Sequence, residues 1–120
     1  ILKEIEKEKI KEILKTQKAY VVNPLDGKPI ELGNHVLRTK SSLSILAPIA
    51  GIIKGIAYKQ NNIHVIIENE RCKATISGLD EVVVNIGDSV LRKQIIGNVK
   101  GDKNLHFFVD CKKDIFSNSS

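Results

Sequence analysis

Two polar residues near the end of the chain, Asn104 and His106, are the first side chains whose types and spacing suggest chemistry. They are two residues apart in a mainly apolar run that ends at Val109, so on a strand both side chains would point to the same face. A histidine in this setting can bind a metal ion or accept a proton, and an asparagine can hydrogen-bond across a groove. His106 is therefore a candidate metal ligand.

The composition predicts one domain with a helical extension in a chain of 120 residues. Aromatic residues make up only 4% of the chain, and isoleucine and valine supply most of the apolar side chains, which favours strands. The net charge of +5 could attract nucleic acid, an anionic envelope polymer or an acidic protein. Because no basic run is interleaved with aromatic residues, a solvated basic surface is favoured over a nucleic-acid site.

Cys72 and Cys111 are the only cysteines. They form no CxxC motif, which disfavours a zinc–thiolate site. Two interpretations stay open: a disulfide formed in an oxidising compartment, or two inert buried thiols.

Residues 1–19 are predicted to form a helix. Glutamate and lysine alternate with an apolar stripe that ends at Ile13 and Leu14. This helix could be the end of a coiled coil or could lie on the domain. The chain begins at Ile1 rather than Met, so we expect it to be a piece of a longer protein, and it contains no apolar run long enough to span a membrane and no visible signal peptide.

After a turn segment at Asn23–Pro29, the sequence predicts short strands separated by turn signals such as Ser77-Gly78 and Gly87-Asp88. Many short strands at this spacing predict a mainly β fold, a sandwich or barrel of antiparallel strands. Residues 114–120 are predicted to be a flexible tail. The predicted strands are Leu43–Leu46, Ile52–Tyr58, Ile63–Glu68, Cys72–Ile76, Glu81–Asn85, Gln94–Val99 and Leu105–Asp110.

Three segments resemble a known family. Ala47–Ile53 is similar to an APxxGxV turn, and Val84–Gly97 is similar to VxxGDxVxxGQxIG, with Lys93 where the pattern often has glycine. This pair is typical of hybrid β-sandwich folds: biotinyl and lipoyl carriers, membrane-fusion adaptors and LytM/lysostaphin-type peptidases. Asn104–Val109 resembles the HLHFEV strand of the LytM/lysostaphin type and distinguishes it from the others. The resemblance covers about Tyr20 to Asp110 and predicts a LytM-like β domain at residues 20–113.

The resemblance implies a particular zinc chemistry. In that family zinc is held by the His and Asp of an HxGxD strand and by the second His of HxH. The first His of HxH and another His in a YxHL motif assist the attacking water. Zinc catalysis needs such a set, with three protein ligands and a fourth position open to water.

Most of these positions are changed in this chain. One alignment places the HxGxD ligands on Leu32 and Val36, which cannot bind zinc, and another places them on Glu31 and His35. Because neighbouring side chains on a strand point to opposite faces, the two registers exclude each other. Gly78 stands where YxHL has its histidine, Asn104 replaces the first His of HxH, and His106 alone is kept.

The resemblance therefore implies a degenerate groove, with no metal and no cofactor, on a domain that is not an enzyme. The predicted groove residues are Glu31, His35, Gly78, Asn104 and His106. The expected function is a non-catalytic binding domain of the bacterial periplasm or cell envelope that regulates cell-wall hydrolases or binds peptidoglycan. Its partners would be a hydrolase or another envelope protein and not nucleic acid, with self-association through residues 1–18 as a further expectation.

Two alternatives stay open. The chain could be a structural module of an envelope assembly, or an active zinc endopeptidase that uses the rearranged ligands Glu31, His35 and His106. Each retained residue also has a plain interpretation. His106 can be a packed strand histidine, and Asn104 can fill a turn.

Overall fold

The protein is described by a computed structural model that covers residues 21–60 and 62–112. This part of the chain contains β-strands and no helix, so no helix within it could cross a membrane. The helix predicted for residues 1–19 and the tail predicted for residues 114–120 lie outside the described residues. The strands are β1 (Val21–Val22), β2 (Pro29–Ile30), β3 (Gly33–Thr39), β4 (Leu43–Leu46), β5 (Gly51–Lys59), β6 (Asn62–Glu68), β7 (Cys72–Leu79), β8 (Glu81–Val82), β9 (Ser89–Val90), β10 (Ile95–Val99) and β11 (Lys103–Cys111).

The strands form three antiparallel sheets. β1 and β2 make a two-stranded sheet, β4, β10 and β8 make a three-stranded sheet, and the largest sheet has the order β3-β11-β7-β6-β5-β9. The predicted mainly β fold of short antiparallel strands is confirmed. All seven predicted strands overlap observed ones, whereas β1, β2, β3 and β9 were not predicted.

Alternating side chains give the six-stranded sheet two different faces. On β11, Leu105, Phe107 and Val109 are fully buried, whereas the residues between them are exposed. β6 and β7 alternate in the same way, and their buried residues join those of β4 and β10 in one core. We call the face that carries these buried residues the inner face and the opposite one the outer face.

The glycine-punctuated unit from Gly87 to Gly97 shapes one end of this core. Gly87 has φ of +94°, and the turn is closed by the hydrogen bond from Asp88 N to Asn85 O at 3.0 Å. A β-carbon on Gly97 would collide with the carbonyl oxygen of Glu81 and lie 2.7 Å from Leu79 Cδ2. Glycine is therefore required at position 97, where β10 pairs with β8.

Cys72 and Cys111 form a disulfide bond. The two residues lie directly opposite each other at the ends of β7 and β11, with their Cα atoms 4.0 Å apart. The alternation of both strands places the bond on the inner face. Closing a loop with a sequence separation of 39 residues stabilises the fold by about 4 kcal/mol in the chain-entropy model.

Candidate binding groove

His106 lies on the outer face of the six-stranded sheet. In the register of β11 with its two neighbours, Val36 of β3 stands opposite His106 on one side and Ser77 of β7 on the other. Ser77 in turn stands opposite His64 of β6. Directly opposed residues share a face of the sheet, so Val36, His106, Ser77 and His64 form a row across it.

A groove of about 410 Å³ surrounds one end of this row. Apolar side chains are prominent on its floor, because Val36 is 64% exposed and Phe108 is 41% exposed. Hydroxyl groups of Thr75 and Ser77 add hydrogen-bonding capacity. We call this surface the outer groove, lined on the outer face by Asn34, Val36, Thr75, Ser77, His106 and Phe108.

His35 lies on the other face of β3. It pairs with Phe107, its ring stacks on the Phe107 ring at a centroid distance of 5.8 Å, and its Nε2 donates a hydrogen bond to Glu31 O at 2.7 Å. The Glu31 side chain is exposed and precedes the strand. The structure therefore does not bring Glu31 and His35 together with His106, and the register it adopts places Val36 beside His106.

Gly78 is a backbone feature and offers no side chain to the groove. Its φ is +109°, and an added β-carbon would lie 3.0 Å from Leu105 Cδ2 and 3.1 Å from Asn104 O. The pairing of β6 with β7 shifts at this point, since Ile63 pairs with Leu79 and His64 with Ser77. The regular pairing of β7 with β11 places Ser77, not residue 78, opposite His106.

Asn104 shares the outer face with His106, two residues along β11. It stands opposite Arg38 of β3, whose guanidinium donates to both carboxylate oxygens of Asp102 at 3.0 and 2.9 Å. This pairing raises the pKa of Arg38 and lowers the pKa of Asp102. The charges beside Asn104 are thus already matched.

The residues at this position do not fit a zinc site. The resemblance implies a carboxylate from the neighbouring strand, and Val36 has no ligating atom. Within residues 21–60 and 62–112, no three His, Cys, Asp or Glu side chains are placed to hold a metal ion.

Sequence reasoning missed the neighbours of His106. Val36 was considered only as a poor ligand, and Ser77, Thr75 and Phe108 were not selected as groove residues. The signal that would have found them is the pairing of β3 and β7 with β11, because residues opposite an exposed position share its face. The alternation along β6 places His64, Ile66 and Glu68 on one face of the strand.

No family model and no curated protein matches this chain. Solved structures do match it. The SpoIIQ–SpoIIIAH pore-forming complex contains a chain that is 15% identical, with a TM-score of 0.58 over 86% of this chain and 98% of that one. The catalytic domain of the prophage-encoded M23 protein EnpA from Enterococcus faecalis is 17% identical, with a TM-score of 0.56 over 77% of this chain and 76% of its own.

The catalytic domain of lysostaphin from Staphylococcus simulans is also similar. It is 22% identical, with a TM-score of 0.53 over 82% of this chain and 81% of its own. Identities at this level speak for the fold and not for the activity. Together with the glycine-punctuated unit and the strand around His106, these likenesses show that the chain has a LytM/lysostaphin-type fold.

Proposed function

We propose that the chain is a non-catalytic LytM-like domain of the bacterial cell envelope that binds through the outer groove and regulates cell-wall hydrolases or binds peptidoglycan. One observation carries the proposal. The side chain opposite His106 is Val36, so the position where the fold's peptidases need a zinc ligand is apolar. A site that cannot assemble three ligands around an open position lacks the basis for metal-assisted hydrolysis.

The composition of the outer groove supports binding. Val36 and Phe108 supply exposed apolar surface, while Thr75, Ser77 and Asn34 supply donors and acceptors. Binding sites are usually concave and combine an apolar lining with a few polar groups that fix orientation.

Two findings support an envelope location. The disulfide between Cys72 and Cys111 is of a kind that persists in oxidising compartments such as the bacterial periplasm. Structural neighbours include the antimicrobial peptidase lysostaphin and a chain of the SpoIIQ–SpoIIIAH complex.

Binding is tested by sedimenting the full chain with purified peptidoglycan and by measuring the rate of a cell-wall hydrolase in its presence. The combined substitution Phe108→Ala and Ser77→Arg removes apolar surface and fills the groove. We expect it to weaken binding or regulation about tenfold, a loss typical of central contact residues. Val83→Arg is the matched control, because Val83 is 63% exposed and does not line the groove.

Either of two results would refute the proposal. The first is that the chain neither sediments with peptidoglycan nor changes the rate of any hydrolase. The second is that the groove variant binds or regulates as well as the control variant.

The likeness to the SpoIIQ–SpoIIIAH complex favours a second candidate, a structural module of an envelope assembly. That chain is covered over 98% of its length. In this case a protein partner would bind the domain without any effect on peptidoglycan or hydrolases. Affinity capture with the wild-type chain and with the groove variant distinguishes the two candidate functions. A structural module that binds its partner through another surface would capture that partner with both proteins.

A further inference from the structure

We infer that the free edge of β3 pairs with the same edge of a second copy of this chain, antiparallel and with Val36 opposite Val36. The pairing would join two six-stranded sheets into one continuous sheet. It follows from the backbone of β3, from the lack of protection on that edge and from the complementarity of its residues with themselves.

The backbone groups that face the free edge can be assigned from the disulfide. The Cα atoms of Cys72 and Cys111 are 4.0 Å apart, as in the closely spaced, non-hydrogen-bonded pairs of an antiparallel ladder. Since the two kinds of pair alternate, the even-numbered residues of β11, including His106, bond to β7, and its odd-numbered residues bond to β3. The odd residues pair with Gly33, His35 and Leu37.

The residues between those three, Asn34, Val36 and Arg38, therefore direct their N–H and C=O groups away from β11. No strand among residues 21–60 and 62–112 lies against this edge. A polypeptide strand matches such a row, because its own donors and acceptors repeat every two residues.

Other strand edges in the described part of the chain are protected. β9 covers β5 at its start, and the pairing of β5 with β6 has a register shift between Ile53 and Gly55. The part of β5 that β9 does not cover carries the exposed Lys54 and Lys59. β4 is short, and its Leu46 N–H donates to Pro24 O at 2.8 Å. Shifts, lysines and covering segments are the usual devices that keep edges from pairing.

β3 lacks these devices. It pairs with β11 over seven residues without a register shift. Its one charged residue, Arg38, is held bidentately by Asp102, so its charge is matched within the same copy. The apolar Val36 stands at the centre of the strand with 64% of its surface exposed.

The sequence of β3 is complementary to itself in one antiparallel register. With Val36 opposite the second copy's Val36, Asn34 stands opposite the second copy's Arg38. The backbone N–H and C=O groups of Asn34, Val36 and Arg38, which point to the free edge, then all form hydrogen bonds with the second copy. Val36 then packs on its own equivalent. No like charges are opposed in this register.

Such a dimer would also extend the proposed binding surface. Val36 lies on the outer face beside His106, so the twofold axis through Val36 makes the two outer grooves contiguous. A single long surface would then run across both copies. Two edge strands bury less area than a standard interface, so we expect a weak dimer with a dissociation constant on the order of 100 µM.

Sedimentation velocity of the full chain over a concentration series measures this dimer directly. We expect a concentration-dependent dimer for the wild type and a dissociation constant raised about tenfold or more for Val36→Lys, which sets two lysines against each other. Val83→Lys is the control, since it adds the same charge at a valine of 63% exposure outside β3. Circular dichroism checks that each variant is folded.

A mixing experiment tests the register. Val36→Lys and Val36→Glu should each be monomeric alone, and an equimolar mixture should restore a dimer at least as tight as the wild type, because only a register that sets residue 36 opposite itself pairs these charges. A wild type that stays monomeric throughout would overturn the inference, as would a dimer unaffected by Val36→Lys or a mixture that stays monomeric. No envelope ligand is present, so this outcome is independent of the proposed groove function.

Discussion

The two faces of β11 differ in what they have kept. On the inner face, Leu105, Phe107 and Val109 are apolar and fully buried, as a LytM-type core requires. On the outer face, Asn104 and His106 stand where the fold's peptidases carry two histidines. Because side chains alternate along a strand, every second residue of β11 packs in the core, and the residues between them line the outer face. Residues on the outer face can therefore differ between proteins that share the same core.

The two histidines of neighbouring strands show the same division. His35 stacks on Phe107 at the inner face, while His106 stands on the outer face beside Val36 and Ser77. They are close in the fold, yet on opposite faces of the sheet, so the His35 ring packs on Phe107 and the His106 side chain lines the outer face of the groove.

The largest effect should come from substituting neighbouring phenylalanines on opposite faces. We expect Phe107→Ala to lower the free energy of unfolding by about 3–5 kcal/mol, because it leaves a cavity in the core. Phe108→Ala should cost less than about 1 kcal/mol, since its side chain is partly exposed. Urea unfolding of both variants measures the difference. Equal losses would break the comparison between the faces.

Removing the disulfide should have the next largest effect. Replacing both Cys72 and Cys111 with Ala should lower the free energy of unfolding by about 2–4 kcal/mol, because the unfolded chain regains the entropy of an open loop. The wild type unfolded with and without reductant provides the matched measurement. The bond lies on the inner face, so groove binding by the folded double variant should persist. An unchanged unfolding midpoint after reduction would contradict the account.

A smaller gain in stability is expected at Lys93. This residue has φ of +75° at a position where the motif often has glycine. Glycine adopts this conformation without the steric cost that a β-carbon brings, so Lys93→Gly should raise the free energy of unfolding by about 1 kcal/mol. Thermal and urea unfolding measure the change. A loss of stability instead would show that the interactions of the Lys93 side chain outweigh the backbone strain.

The smallest effect concerns an ion pair at the opposite end of β11 from the disulfide. Lys103 Nζ lies 2.8 Å from Asp80 Oδ1, and this hydrogen bond lowers the pKa of Asp80. A carboxyl whose pKa is lowered by folding stabilises the protein above its ordinary pKa of about 3.9, and this contribution is lost as the pH falls through the folded value. Unfolding below about pH 4 should therefore be steeper in pH for the wild type than for Asp80→Asn. Identical slopes would show that the pair contributes nothing.

The fold was largely predictable because its signals are local. Gly87 and Gly97 mark positions where the backbone needs glycine, and the apolar alternation of Ile63, Val65 and Ile67 marks one face of β6. Strand β3 was missed because its sequence mixes polar and apolar residues, as an edge strand allows. The sequence does not decide whether Cys72 and Cys111 pair, because their opposition depends on the register between two strands that are distant in the chain.

The site was less predictable because it depends on register between distant strands. A shift of one residue on β3 exchanges His35 for Val36 beside His106, and no local pattern distinguishes the two. The pairing of β7 with β11 has the same consequence, because it places Ser77 and not Gly78 opposite His106. Pairing with β11 and β7 decides both positions.

The central proposal is that the outer face around His106 does not bind zinc. Calorimetric titration of zinc into the metal-free, oxidised full chain at neutral pH tests it most directly, with His106→Ala as the matched control. The account predicts no stoichiometric binding and the same weak heat in both proteins. One tightly bound zinc per wild-type chain that is lost in His106→Ala would contradict it.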